Sequence, residues 1–314
     1  MSTMNLDVLL STYKRYMAAE AKSPRTIEST EASVRQFACH IGEGFDIETI
    51  TADGLRDYII FLQSSPRWQS HPTIAADKGP LSPFTIATRV RTIKAFWSWL
   101  AREEFITEDP FRRVKTPKTP CREVRILTPE ICRALIDSIP KKGLVGKRDR
   151  ALLLALLGLG ARISELTSLR TGDVDFDSGQ VRVLGKGSKE RRLFMSPLVF
   201  KAMHKYWFGE RKDLPGDWFF VHKDGRPLDR WYVNHQLHKY AVKAGIGLVS
   251  VSPHKARHTF ATLFLRNGGD IFSLQKILGH STLDMSRHYA QMADEDVERQ
   301  MRAHSPVEAM GLKL

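Results

Sequence analysis

Residues 148–160 read RDRALLLALLGLG, an apolar run that begins with three charged residues and ends in two closely spaced glycines. Leucine and alanine occupy nearly every side of a helix wound through this run, which predicts a central buried helix. Such a helix needs other elements packed around it, and amphipathic segments flank it in the sequence. The apolar part has about half the length needed to cross a bilayer, so we expect no membrane span.

The residues before position 111 predict a small bundle of four amphipathic helices. Ser23, Thr51 and Ser82 are suited to cap three of them, and a proline follows Ser23 and Ser82 at the first helical position. Basic residues on the polar faces can meet a DNA backbone, although a solvated helix face explains each of them equally well. These residues are Arg89, Arg91, Lys94 and Arg102.

Residues 112–125 read RRVKTPKTPCREVR, which has neither a helical nor a strand period. Its prolines and its charge predict an extended basic linker. We therefore predict a helical domain at 1–111, a linker at 112–127, a second domain at 128–296 and a tail at 297–314. The sequence of the long loop at 64–81 indicates no function.

The second domain is predicted to be mainly α with a small antiparallel β-sheet. Val181–Leu184 and Arg191–Met195 flank a Gly-Lys-Gly turn, which places Lys186 on or beside the tip of a hairpin. Thr128 and Pro129 begin one helix, and Ile163–Leu169 forms another after the buried run. Further helices are predicted at Pro197–Trp207, Asp229–Ala244, Pro253–Arg266, Ile271–Leu278 and Leu283–Met292.

The composition predicts a basic intracellular protein. A formal net charge of +13 over 314 residues favours a polyanionic partner, although a merely basic protein is the alternative. Cys39, Cys121 and Cys132 form no regular pattern, so we expect reduced thiols and neither a disulfide framework nor a cysteine zinc cluster. The N-terminus lacks a signal-peptide pattern, and we expect a cytoplasmic location.

His254 and Arg257 lie three residues apart in SPHKARHTF (252–260), so they share one face of a predicted helix. Ser252 and Pro253 begin that helix, and a helix N-terminus favours an anion. Both side chains are therefore candidates to bind one phosphate. A capped surface helix with a chance HxxR pattern is the alternative.

Arg162 follows two glycines in LGLGARISEL (157–166) and emerges from apolar surroundings, where a guanidinium needs an anionic partner. A structural pair with Glu165 is the plain interpretation. The functional interpretation is a second phosphate contact beside Arg257, because two planar forks can stabilise the charge of a pentacoordinate phosphorus.

Three further strings supply groups for proton transfer and attack. Lys186 in LGKGSKERR (184–192) and His280 in ILGHS (277–281) can move protons or bind phosphate, and Tyr289 in SRHYA (286–290) has a hydroxyl. A free tyrosine has a pKa of about 10, so it attacks only where cations or a base assist it. Each of the three alone is more often an ordinary core or surface residue.

These five strings, in this order, resemble those of the tyrosine recombinases, the family of phage integrases and chromosome-dimer resolution recombinases. The resemblance covers almost the whole chain and implies a helical core-binding (SAM-like) domain followed by a catalytic domain, closing on DNA as a C-shaped clamp. By motif match, the residues that are similar to the family's catalytic set are Arg162, Lys186, His254, Arg257, His280 and Tyr289.

The resemblance implies attack of Tyr289 on a DNA phosphate, a 3′-phosphotyrosyl intermediate, and no metal or other cofactor. It implies that both arginines and His280 stabilise the phosphorane, that Lys186 is the general acid and that His254 assists proton transfer. It further implies a specific site in double-stranded DNA and a homotetramer on two sites, with the tail contacting a neighbouring protomer. No arm-type DNA-binding domain is expected before Asn5.

Three alternatives remain at this point. A type IB topoisomerase shares the chemistry, and a DNA-bridging protein could use the same fold without catalysis. A metallohydrolase is suggested by His254 and His258 at i, i+4, but Lys255 stands where the HExxH pattern needs glutamate.

Overall fold

The computed structural model describes residues 5–42, 46–67, 77–120, 126–185, 190–246 and 251–280. The chain divides into two compact units, Met1–Arg122 and Glu123–Leu314. Both are built mainly from helices, and the second holds a small antiparallel sheet, which confirms the predicted fold class. Among the described residues, no helix combines the length and the apolar character that a membrane span requires.

The described residues of the first unit form four helices: α1 (Leu6–Ala19), α2 (Pro24–Ile41), α3 (Ala52–Ser64) and α4 (Pro83–Arg102). Ser23, Thr51 and Ser82 cap α2, α3 and α4 as predicted, each accepting a hydrogen bond from a backbone N–H of the first turn. The core of the unit is strongly aromatic. Its largest fully buried side chains are Phe37, Tyr58, Phe96, Trp97 and Phe111.

Two short strands interrupt the loop that connects α3 to α4. Strand β1 (Pro66–Arg67) pairs antiparallel with β2 (Asp77–Pro80), and the pairing contains an irregularity between Pro66 and Arg67. The sequence predicts only a loop here. Strands this short, with prolines at their ends, carry no alternation of apolar and polar residues that could reveal them.

The segment predicted as a linker begins as part of the first unit. Residues 114–120 have no regular secondary structure, in agreement with their prolines. However, Val114 is buried in the first unit's core, and the Lys94 ammonium donates a hydrogen bond to its carbonyl oxygen. Lys94 therefore binds the backbone of the segment that follows the helical domain, and Arg102 lies over the ring of Tyr16.

The second unit contains seven helices within the part of the chain described: α5 (Pro129–Ser138), α6 (Gly143–Gly158), α7 (Ile163–Thr167), α8 (Pro197–Tyr206), α9 (Arg230–Lys243), α10 (Pro253–Arg266) and α11 (Ile271–Leu278). Its sheet has the order β3 (Val174–Asp175), β4 (Gln180–Leu184) and β5 (Glu190–Phe194), all antiparallel. Strand β3 was not predicted, and α7 ends two residues earlier than expected. The predicted helix Leu283–Met292 lies outside the described residues.

Helix α6 is the central buried helix that the apolar run predicts, and residues 151–156 are all buried along it. Its charged start is also buried, because Arg148 donates to the Val221 carbonyl at 2.9 Å and to the Tyr232 hydroxyl at 2.8 Å. Asp149 accepts from Arg148 and from the Tyr240 hydroxyl. Each buried charge thus has a partner, which is the condition for its burial.

Candidate active site

Arg162 lies where the chain turns out of α6 into α7. Gly160 has a φ of +61°, and a Cβ atom there would come within 2.4 Å of the Phe260 ring, so both the conformation and the space require glycine. Arg162 occupies the N-cap position of α7 and is the residue directly before it. The double-glycine signal therefore aims this arginine out of the apolar core.

The carboxylate of Glu165 forms an ion pair with Arg162. Its Oε1 accepts from Arg162 Nη1 at 2.9 Å, and its Oε2 accepts from the Arg162 backbone N–H at 2.7 Å. Arg191 of β5 adds a bidentate contact, with Nη1 to Oε1 at 2.9 Å and Nη2 to Oε2 at 2.7 Å. Burial would raise the pKa of Glu165, but these hydrogen bonds outweigh it and lower the pKa below its usual value.

Arg257 lies in the first turns of α10, and only 5% of its surface is exposed. Its Nη1 donates to the Gly160 carbonyl at 2.6 Å and its Nη2 to the Leu278 carbonyl at 2.7 Å. Arg257 therefore joins the end of α6 to the end of α11. A second group, His280 Nε2, lies 3.4 Å from its Nη2.

His280 follows the glycine that ends α11. Gly279 adopts the left-handed conformation at the C-cap, and the His280 backbone N–H returns to the Gln275 carbonyl. Burial and the charges of Arg257, Arg162 and Arg191 lower the pKa of His280 to about 4. The ring is therefore neutral near pH 7.

His254 lies on the first turn of α10, where Ser252 caps the helix as predicted. Its Nε2 is 2.8 Å from Nε2 of His258, one turn later, so one ring donates to the other. Desolvation of the ring and the nearby charges of Arg257, Arg230 and Arg162 lower the pKa of His254. This imidazole also favours its neutral form.

Four of the six predicted residues come together in the described part of the chain: Arg162, His254, Arg257 and His280. The other two, Lys186 and Tyr289, lie outside the described residues. Arginine forks and neutral imidazoles at one place can bind an anionic phosphate and accept a proton. Within the described residues, His, Cys, Asp and Glu side chains form no group of three that could hold a metal ion.

Two residues of this cluster, Arg191 and His258, are not among the six predicted from the sequence. Arg191 follows Lys186 in the string already singled out, and its signal was the strand alternation, which places it inward with Leu193. His258 was considered only as a metal ligand. Its position four residues after His254 was the signal for a direct imidazole contact on one helix face.

Comparison with known proteins gives consistent matches. The pattern of the phage integrase family matches residues 125–296. The tyrosine recombinase XerC of Myxococcus xanthus is 32% identical over 305 residues, covering 94% of this chain and 96% of that protein. The Bacillus subtilis XerC is 34% identical over 240 residues, or 74% of this chain and 78% of that protein.

Solved structures share the fold over nearly the whole chain. A Tn1549 transposon integrase in complex with circular intermediate DNA matches with a TM-score of 0.73 at 20% identity, covering 93% of this chain and 98% of that one. The XerA recombinase matches with a TM-score of 0.52 at 26% identity, covering 95% and 98%.

Proposed function

The chain belongs to the phage integrase family and is a tyrosine-type site-specific DNA recombinase, and we propose that Tyr289 is its nucleophile. The Tyr289 hydroxyl attacks a phosphate in double-stranded DNA, a 3′-phosphotyrosyl bond forms, and the 5′-oxygen leaves with a proton. A 5′-hydroxyl of the partner duplex then attacks the phosphotyrosyl bond and releases the tyrosine. Each step exchanges one ester for another, so no nucleotide hydrolysis is needed to rejoin the strands.

The observation that carries this proposal is the convergence of two arginines and two neutral imidazoles where the start of α10 meets the ends of α6 and α11. Arg162 and Arg257 approach the same histidines closely enough for both charges to lower their pKa values. We assign to these arginines the binding of the non-bridging phosphate oxygens, whose negative charge grows as phosphorus becomes pentacoordinate. His280, neutral and beside Arg257, adds a hydrogen bond to the same group.

Proton transfer requires an acceptor for the tyrosine proton and a donor for the leaving oxygen. We assign the first role to His254, because a histidine with a lowered pKa is unprotonated near pH 7. We assign the second to Lys186, whose residue type and place between β4 and β5 suit a donor that reaches the 5′-oxygen. Glu165 positions Arg162 and stays ionised.

Covalent trapping on a nicked suicide substrate tests the nucleophile. Tyr289→Phe is expected to bind the recombination site and to form no covalent adduct, because the phenyl ring lacks the attacking oxygen. Tyr16→Phe removes the same atom from a half-buried position on α1, in the other unit, and serves as the matched control. An undiminished adduct with Tyr289→Phe would remove this residue from the role, and efficient relaxation of a plasmid without the site would favour a topoisomerase.

We further propose that four copies act on two DNA sites. Exchange between two duplexes breaks four strands, and each chain is proposed to supply one nucleophile. Mass photometry of the protein on a duplex with one site and on a DNA with two sites tests this. Two copies on the first and four on the second are expected, and a complex that stays at two copies would contradict the tetramer.

We also propose that the protein works in the cytoplasm on a specific sequence in double-stranded DNA. The net charge of +13 supports a polyanionic partner, and the three irregularly spaced cysteines suit a reducing compartment. Mapping the cleaved phosphates by sequencing the trapped adducts would define the site. Cleavage spread evenly along random DNA would contradict site specificity.

A further inference from the structure

Arg191 connects three elements of the site through one guanidinium. It lies on β5, where it pairs with Val183 of β4, so it belongs to the hairpin that carries the 186–189 connection. Its Nη1 and Nη2 hold Glu165 of α7, and its Nε donates to the Ile277 carbonyl of α11 at 2.7 Å. Only 12% of its side chain is exposed, so these contacts compete little with water.

The first connection determines how Arg162 is held. Glu165 is 3% exposed and accepts two hydrogen bonds from Arg162 and two from Arg191. A buried carboxylate needs its full set of donors, because water cannot replace those that are lost. Without Arg191, both oxygens of Glu165 would lack one donor. The orientation of the Arg162 side chain and the ionisation of Glu165 would then change.

The second connection determines where His280 lies. Arg191 binds the Ile277 carbonyl in the last turn of α11, and a Cβ atom at Gly279 would lie 3.2 Å from its Nη1. The turn that carries His280 therefore packs directly against this guanidinium. The Arg191 charge also contributes to the lowered pKa of His280, which places the two groups within electrostatic range.

We propose that Arg191 is a positioning residue for strand cleavage, which fixes Arg162 through Glu165 and the His280 turn through the end of α11. It does not contact the phosphate. Arg191 is the second residue of β5, directly after the 186–189 connection and Glu190. The alignment of Arg162 and His280 therefore depends on the position of the strand that follows Lys186. This inference rests on the proposed function, in which Arg162 and His280 bind the reacting phosphate.

Single-turnover cleavage of the suicide substrate, with DNA affinity measured separately, tests the proposal. Arg191→Gln is expected to cleave about 100-fold more slowly, the cost of a small misalignment, while the Kd for DNA changes less than about threefold. Arg191→Lys keeps the charge but loses the fork, and an intermediate rate is expected. Arg192→Gln removes the same charge from the next, outward-facing residue of β5 and should cleave like the parent.

Two measurements separate positioning from general damage. In Arg191→Gln, Glu165 loses two donors and its pKa rises, so the cleavage rate should fall more steeply on acidification from pH 8 to pH 6 than in the parent. In a Glu165→Gln background, Arg191→Gln should have a smaller effect than in the parent, because the contact it removes is already weakened. Fully multiplicative effects would overturn coupling through Glu165.

The outcomes distinguish this inference from the proposed function. If Arg191→Gln is folded and cleaves at the rate of Arg192→Gln, the positioning role is wrong, even where Tyr289→Phe has abolished the adduct. If Arg191→Gln melts below the assay temperature, Arg191→Lys decides, and a parental rate in that variant overturns the proposal. An adduct that persists in Tyr289→Phe would overturn the proposed function instead, whatever Arg191 does.

Discussion

Replacing Glu165 by glutamine changes a single heavy atom in a contact that joins a buried carboxylate to two arginines. The carboxylate accepts four hydrogen bonds, two on each oxygen, from Arg162 and Arg191. An amide keeps one acceptor oxygen and turns the other position into an N–H₂ donor. In either orientation of the amide, two of the four hydrogen bonds are lost. The new N–H₂ group then faces two N–H donors of Arg162 and Arg191 and can accept from neither.

The expected destabilisation follows from that count. A hydrogen bond to a charged group contributes roughly 1.5–3 kcal/mol, so two lost bonds give about 3–6 kcal/mol. Water can reach the Arg162 side chain, which is 36% exposed, and this reduces its share of the loss. We therefore expect Glu165→Gln to lower the free energy of unfolding of the second unit by about 3 kcal/mol, in line with other broken buried ion pairs.

Urea unfolding followed by fluorine NMR on 5-fluorotryptophan reports on the units separately, because Trp207 and Trp218 belong to the second and Trp97 and Trp99 to the first. The control Glu130→Gln makes the same chemical change at an exposed pair in the same unit and should leave the transition in place. The difference from the parent should begin to shrink below about pH 4.3, the pKa of an unfolded glutamate, and should be lost as pH falls through the lower pKa that Glu165 has in the folded protein. A loss below about 1 kcal/mol at pH 7 would refute this account of Glu165.

Two other predictions concern the phosphate ligands. His280 should titrate near pH 4 in the free protein by NMR of ¹³C-labelled histidine, and its pKa should rise when a DNA phosphate occupies the site; a free-protein value near 6.5 would contradict the burial described here. Arg257→Lys should reduce cleavage at least tenfold and destabilise the second unit, because one ammonium cannot reproduce the fork that joins the Gly160 and Leu278 carbonyls; thermal melts and adduct yield measure both, and parental values would exclude that bridging role.

The sequence predicted the elements whose signals are local. Ser or Thr followed by proline identified the starts of α2, α4, α5 and α10, because the cap and the fixed proline φ act within one turn. The apolar run identified α6, since a helix without a polar face has to be buried. The short strands β1 and β3 were missed because two residues carry no period.

The candidate site was predicted in its residue types but not in its connections. Arg162, His254, Arg257 and His280 stand in distinctive strings, and the chain brings them together. Arg191 escaped notice because its partners, Glu165 and Ile277, are 26 and 86 positions away in sequence. Contacts across such distances depend on the packing of α7, α11 and the sheet, which no local pattern records.

The arginines of the site are partly neutralised by backbone. Arg257 binds the Gly160 carbonyl just beyond α6 and the Leu278 carbonyl at the end of α11, and Arg191 binds Ile277 beside it. A helix C-terminus carries a partial negative charge of about half a unit. These helix ends act as built-in counterions, so the guanidiniums need few dissolved anions before DNA arrives. The salt dependence of DNA binding still counts each phosphate that these guanidiniums neutralise, because the released ions come from the DNA.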